Sequence, residues 1–489
     1  MFAAVTSVVL VGVEPRPVRV EAHVTSGRSS IVIVGLPDAA VREARERVRA
    51  ALRSSGIALP SRRIVVNLSP ADVPKSGSAY DLPMAVAILA ACGETSAEVT
   101  RMVTLGELAL DGHVRHVRGG FAAALVAREV GLPCVLPPAA AAEAVALPGA
   151  GVRAVTSLPE ALAVAVGRST GSPIPELATP DQTCPDLGEV RGQLAPRRAL
   201  EVAAAGGHHL LMTGAPGAGK TMLARCLPGL LPGLTPEAAH EMSLVWTAAG
   251  RLRGPIRSAP FRAPHHSATL ASLVGGGSGV PVPGEVSLAH RGVLFLDELG
   301  EFPPHLLDAL RQPIEDQSVV VARKGASVRF PTSVQMVAAT NPCPCGYAGD
   351  RLVACRCTPR AVDKYRRRLS GPLLDRFDMR VRLGRVEPGE LAASGGEPSP
   401  AVRTRVLAAR TRQEERGRLN RELTGADLDR LEWDGDAMQL LEDAVDGQSL
   451  TARGWNRVRR VAVTIADLDE AGVMGSDHVG EALGYRSAA

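Results

Sequence analysis

Aromatic residues are scarce in this 489-residue chain, at 3% of the total. Binding single-stranded nucleic acid mainly by stacking bases on aromatic platforms needs more of them, so that mode is disfavoured and phosphate contacts stay open. Net charge is small too, +4 at pH 7. The chain as a whole is therefore not a basic nucleic-acid tail, and any such contact must come from local patches. Of eight cysteines, Cys92, Cys134, Cys184 and Cys226 are scattered and the other four fall within fifteen residues. That is not the pattern of a secreted disulfide framework, and a reducing, cytoplasmic setting is expected. No run reaches the roughly 18 uncharged apolar residues of a membrane span, so no membrane partner is expected. The apolar start, Met1 to Leu10, lacks a basic n-region and reads as a strand rather than a signal peptide.

What is present suits packed α/β cores: 45% of residues are hydrophobic, and the length predicts about three domains of roughly 100–200 residues. The first unit, 1–168, holds β-branched runs at Ser30–Val34 and Arg63–Asn67, a helical spacing over Ala39–Ser55 and a buried helix over Asp81–Ala91. A Pro-, Gly- and Ser-rich stretch, 169–187, reads as a linker. A nucleotide unit, 188–385, and a mostly helical C-terminal unit, 386–489, follow.

The nucleotide unit is organised by Gly214, Ala215, Pro216, Gly217, Ala218, Gly219, Lys220 and Thr221, which match G-x-x-x-x-G-K-[ST] at every fixed position. The short apolar run His209–Thr213 before it predicts a strand, and Met222–Leu227 after it predicts a helix. Such a loop bends tightly, points backbone N–H groups at phosphate oxygens and adds the positive end of a helix. Lys220 is expected to reach the β- and γ-phosphates of ATP, and Thr221 to hold Mg²⁺. Gly292–Glu298 is a central strand ending in two carboxylates, 77 residues after Lys220. Asp297 is the second candidate Mg²⁺ residue and Glu298 the candidate for polarising the attacking water. Val334–Asn341 predicts a strand whose terminal Asn341 orients the same water.

Cys343, Cys345, Cys355 and Cys357 offer four thiols for a closed tetrahedral Zn²⁺ site, although C-x-C is less common than C-x₂-C. Free or redox-active thiols are the alternative. His265 and His266 lack a nearby third ligand, so a metal role is not expected of them. Val319–Phe330 predicts a hairpin with Arg323 and Lys324 near its tip, suited to phosphate contacts that read no bases; an ordinary solvated hairpin is the alternative. A second basic patch runs from Arg351 through Arg356, Arg360, Lys364, Arg366 and Arg367 to Arg368.

Several strings add resemblances. Pro74–Asp81, Gly106–Gly112 and Gly119–Ala123 resemble the proteolytic domain of Lon proteases, a ribosomal S5 domain 2-like fold. Ala79 and Ala122 stand where that family has its Ser and Lys, so the fold is expected without the peptidase; Ser78 is one residue away. Ser370–Asp378 resembles the segment presenting an arginine finger in AAA+ ATPases, which would make Arg376 act on a neighbour's site; a local salt bridge is the alternative. Arg453, opening the last long helix, matches a γ-phosphate sensor of AAA+ lids by resemblance.

Together with the Asn341–Tyr347 segment, these motifs make the chain similar over nearly its whole length to the ComM/YifB group of magnesium-chelatase-like AAA+ ATPases. The resemblance implies an inactive Lon-like front, an AAA+ P-loop core and an α-helical lid. It also implies a hexameric, ATP-driven ring that moves along DNA and drives branch migration in recombination or natural transformation. A remodeller of a protein partner and an ATP-gated DNA clamp remain the alternatives.

Overall fold

The computed structural model describes all residues except 177–182, 278–279, 324–325, 351, 387–388, 390–394, 448–449 and 488–489. Lys324, Arg351 and part of the 169–187 stretch thus lie outside the described residues. The chain divides into two compact units, 1–181 with 235–256, and 182–234 with 257–489.

The first unit is built on a seven-stranded sheet. Its strands include β1 (Phe2–Val11), β2 (Glu14–Thr25), β3 (Ser30–Val34), β4 (Arg63–Ser69) and β5 (Val103–Thr104). After a small pair, β6 (Glu107–Leu108) and β7 (Val114–Arg115), come β8 (Cys134–Leu136) and β9 (Val152–Ala154). The order is β3-β4-β2-β1-β5-β8-β9. Pairing is antiparallel from β1 to β2 to β4 and parallel elsewhere.

Helix α1 (Ala39–Ser54) starts at Asp38, whose carboxylate accepts the Val41 N–H at 2.8 Å. It buries Val41, Ala44, Val48, Ala51 and Leu52. Helix α2 (Asp81–Cys92) is buried almost all round. At its start Asp81 takes two hydrogen bonds from Arg47, Nε at 2.7 Å and Nη2 at 3.0 Å. Burial nevertheless pushes the Asp81 carboxyl up to about 6.

Ala122 is fully buried on the helix Gly120–Val130, and Ala79 packs against the same cluster. The Ser78 hydroxyl donates to Glu107. Gly120 has no room for a side chain: a Cβ there would sit 2.0 Å from the Ala140 carbonyl oxygen.

The sequence reading keeps 235–256 with the nucleotide unit, but the structure packs it into the first unit. The helix Pro236–Ala248, capped by Thr235, brings Leu244 and Trp246, with Leu252 and Ile256 beyond it, onto the cluster around Phe121 and Val126.

The second unit holds β10 (Leu210–Gly214), β11 (Phe261–Arg262), the small pair β12 (Gly275–Gly276) and β13 (Val282–Pro283), and β14 (Val293–Leu296). A hairpin, β15 (Ser318–Arg323) with β16 (Ala326–Pro331), precedes β17 (Gln335–Thr340) and β18 (Met379–Leu383). The main sheet runs β11-β14-β17-β10-β18, every pair parallel. Parallel strands covered on both faces read as continuous apolar runs, as here. Val293 and Phe295 turn to the cluster with Leu210, Met212 and Leu223, while Leu294 and Leu296 turn to the one with Leu306, Leu310 and Phe377.

Helices dominate the C-terminal part: Ser399–Glu415, Gly435–Asp446, Ala452–Leu468 and Ser476–Ser487. The helical run is interrupted between Gly425–Leu428 and Gly435–Asp446. The Trp433 indole donates to the Leu428 carbonyl at 2.9 Å, and the backbone there pairs with Met474 instead. Among the described residues, no helix is long and apolar enough to cross a membrane.

Candidate functional site

The glycine loop leaves the C-terminal end of β10 and enters the helix Lys220–Leu230. Gly217 and Gly219 sit at φ +78° and +90°, a backbone region that side chains disfavour. The Lys220 ammonium lies back over the loop, donating to the Gly214 carbonyl at 2.6 Å, the Ala215 carbonyl at 3.0 Å and Asn341 Oδ1 at 3.1 Å. Burial lowers its pKa, partly offset by Asp297 and Glu298. The Thr221 hydroxyl donates to Asp297 Oδ2 at 2.8 Å. Asp297 directly follows β14 and Asn341 directly follows β17, which lies between β14 and β10 in the sheet. Four sequence-predicted residues, Lys220, Thr221, Asp297 and Asn341, thus meet at the carboxyl ends of adjacent parallel strands, where ligands of such sheets bind. An ammonium over an N–H-lined loop, beside paired hydroxyl and carboxylate oxygens, fits a phosphate chain and the hard oxygen shell of Mg²⁺.

Glu298 is set apart. Its backbone is left-handed, at φ +51°, and its carboxylate lies 3.4 Å from the His266 imidazole. His266 in turn contacts the His265 ring, centroids 4.0 Å apart, and the edge of Phe302. Sequence reasoning weighed His266 only as a metal ligand. Its position follows from β11, which pairs with β14 and delivers the next loop beside the two acids.

The four clustered thiols meet, their ligand atoms all within 4.8 Å of one another. Cys343 and Cys345 are 3.4 Å apart, Cys343 and Cys355 3.7 Å, and Cys345 and Cys355 3.6 Å. A tetrahedron with Zn–S bonds of 2.3 Å has edges of about 3.8 Å, so the sulfurs stand close to where Zn²⁺ requires them. The Ala348 N–H also donates to the Cys343 sulfur at 3.2 Å. This knot touches the glycine loop: a Cβ on Gly346 would lie 2.4 Å from Pro216 Cδ. Between the loop, the knot and the end of β18 is a cavity of about 700 Å³, lined by Gly214, Ala215, Pro342, Arg382 and Arg385 among others.

Three family models match the chain. They are Magnesium chelatase, subunit ChlI, over residues 186–391; Subunit ChlI of Mg-chelatase over 20–140; and Magnesium chelatase, subunit ChlI C-terminal, over 396–486. The chain is 42% identical over 486 residues to the uncharacterized protein YifB of Salmonella typhimurium, spanning 97% of this chain and 95% of that protein. It is 40% identical over 502 residues to the Competence protein ComM of Haemophilus influenzae, spanning 99% and 97%. The chain belongs to the ComM/YifB family of magnesium-chelatase-like AAA+ proteins. A more distant likeness, 26% over 285 residues and 56% of this chain, is to the Holliday junction branch migration complex subunit RuvB of Anaeromyxobacter, of which it spans 69%.

The remaining candidates of this ComM/YifB chain stand outside that cluster of four. Arg376 is nine-tenths buried, pairs with Glu315 and donates to the Pro372 carbonyl at 2.8 Å. Its neighbours Asp375 and Asp378 are held by Arg457, at 3.0 Å and 3.6 Å. Arg453 is exposed near the start of Ala452–Leu468, with no ion pair among the described residues. Arg323 ends β15, opposite Ala326.

Proposed function

We propose that this chain is an ATPase whose nucleotide-dependent ring, a hexamer on the family's pattern, translocates on DNA and promotes branch migration during recombination. The observation that carries the reading is the convergence of Lys220, Thr221, Asp297 and Asn341 at three adjacent strand ends. The names of the ComM and RuvB relatives supply the DNA setting. Lys220 grips the β- and γ-phosphates of ATP. Thr221 and Asp297 hold Mg²⁺, which when bound neutralises charge on those phosphates. Glu298, once free of His266, orients the attacking water together with Asn341. Arg376 leaves Glu315 to reach a neighbouring protomer's triphosphate, and Arg453 senses the γ-phosphate from the lid. Cys343, Cys345, Cys355 and Cys357 hold a structural Zn²⁺. Arg323 and Lys324 meet the DNA backbone. The first unit is a Lon-like fold without peptidase chemistry.

The test is ATP turnover with and without a branched duplex. Stimulation of several-fold supports the motor, whereas a rate indifferent to DNA and raised only by a protein partner supports a remodeller. Mixing Arg376→Ala with Lys220→Ala chains tests action in trans. Mixed rings recover part of the turnover that each variant lacks alone, and no recovery confines Arg376 to its pair with Glu315.

A further inference from the structure

The chain's net charge of +4 hides an uneven distribution. Residues 1–70 contain ten arginines against five acids. Five of those arginines are on α1. Arg47 alone is turned inward, its guanidinium spent on the buried Asp81. That contact and the buried face of Val41, Ala44, Val48 and Leu52 fix the rotation of the helix. Arg42, Arg45, Arg49 and Arg53, spaced by three, four and four residues, then form one outward stripe. At 1.5 Å per residue it is about 16 Å long.

The stripe continues into a groove of about 250 Å³ whose rim carries Arg49, Arg53 and Arg62 and whose lining also includes apolar residues, Ile57 and Leu59 among them. Arg53 and Arg62 make no ion pair among the described residues. The acids on the helix are Glu43 and Glu46. Glu46 reaches Arg45 at 3.4 Å and Arg49 at 4.0 Å, exposed pairs that a stronger polyanion displaces at little cost.

We infer that the α1 stripe and the groove at Arg62 form a second, sequence-independent docking surface for the phosphate backbone of duplex DNA, separate from the nucleotide site. The occupant follows from charge complementarity: a straight row of four cations about 16 Å long faces a polyanion that carries one charge per about 3.4 Å of helix axis on each strand. Guanidinium forks suit phosphate oxygens, the four stripe positions are all arginine, and Ile57 and Leu59 of the groove pack against the unit's core rather than standing out as lipid anchors. The choice of DNA rests on the functional reading above.

The test uses the full chain with Arg45, Arg49, Arg53 and Arg62 all changed to Gln, and a second chain with the same four changed to Lys. Binding to a 40-base-pair duplex is followed by fluorescence anisotropy across a salt series. The Gln variant is expected to keep the wild-type melting temperature and DNA-free ATP turnover. The slope of log affinity against log salt should flatten by about 0.9 for each phosphate that is no longer neutralised, up to about 3.6 for four. The Lys variant should regain most of the slope. An unchanged slope in the Gln variant, with wild-type chain still binding and stimulated by DNA, overturns the stripe and leaves the motor standing. Wild-type chain that ignores the duplex overturns the motor reading itself. Loss by the Gln variant of binding to phosphatidylserine vesicles, with its DNA slope intact, also overturns the inference.

Discussion

Gly346→Ala is the sharpest probe of the contact between the cysteine knot and the phosphate loop. Gly346 sits at φ +85°, where an L side chain costs about 1–2 kcal/mol. The new Cβ would be 2.4 Å from Pro216 Cδ and 2.7 Å from its Cγ. Relieving such an overlap in a packed place costs a further ~1–3 kcal/mol. Neither partner yields easily. The proline ring is rigid, and the Gly346 N–H closes a turn onto the Cys343 carbonyl at 2.9 Å. The combined strain of about 2–5 kcal/mol must displace the knot or the loop. Each 1.4 kcal/mol taken from nucleotide binding is a tenfold loss of affinity, so ATP affinity should fall by at least ~10-fold. Fluorescent-nucleotide titration measures this. Gly371→Ala serves as control, because a Cβ there meets nothing within 4 Å. Wild-type affinity and melting temperature in Gly346→Ala would refute the mechanical link.

Three further outcomes are expected. Glu298→Gln should bind ATP normally while steady-state turnover drops by roughly 10²–10⁴-fold, the usual worth of a positioned acid–base group; near-wild-type turnover removes Glu298 from its role. Purified chain should carry one Zn²⁺ by elemental analysis and lose it in Cys343→Ser; less than about half an equivalent in the wild type, with four titratable thiols, counts against a closed zinc site. His208 and His209 are buried and pulled down to about 3, so they stay neutral while the unfolded chain takes up two protons below its ordinary pKa. Their contribution is full above about pH 6.5 and is lost toward pH 3, at about 1.4 kcal/mol per pH unit for each ring. Asp81 and Glu143, pushed up to about 6 and about 7, act in the opposite sense over the same range, so urea unfolding at pH 7.5 and 5.5 is compared between wild type and His208→Gln, and the same pH dependence in both would contradict it.

The phosphate loop and its strands were legible because their signals are local. An apolar run bounded by glycines names a buried strand wherever it lands, and polar residues ending such strands fall at one edge once the strands are parallel. The hairpin at Ser318–Pro331 and α1 were readable for the same reason. What escaped depended on partners remote in sequence. Leu244, Trp246 and Leu252 advertise a buried face, yet nothing in their spacing says it packs on Phe121 rather than on the sheet beside them in sequence. The string around Arg376 carries its resemblance but not Glu315, which reaches it from the helix Pro304–Glu315.

His266 shows where pattern reading stops. Two adjacent histidines without a third ligand are unremarkable until the two residues of β11 pair with β14. That short edge pairing sets the imidazole 3.4 Å from Glu298, while Phe302 and His265 limit where the ring can go. Glu298 holds a left-handed backbone there, a conformation costing a non-glycine residue roughly 1–3 kcal/mol. A strained carboxylate turned toward an imidazole is displaced from the Lys220, Thr221 and Asp297 contacts that its neighbours share. Turning the carboxylate toward a nucleotide therefore requires breaking one exposed contact with His266. On the proposed reading, control of hydrolysis through the loop after β11 is thus energetically cheap, whereas control through Asp297 would have to break its 2.8 Å bond to Thr221.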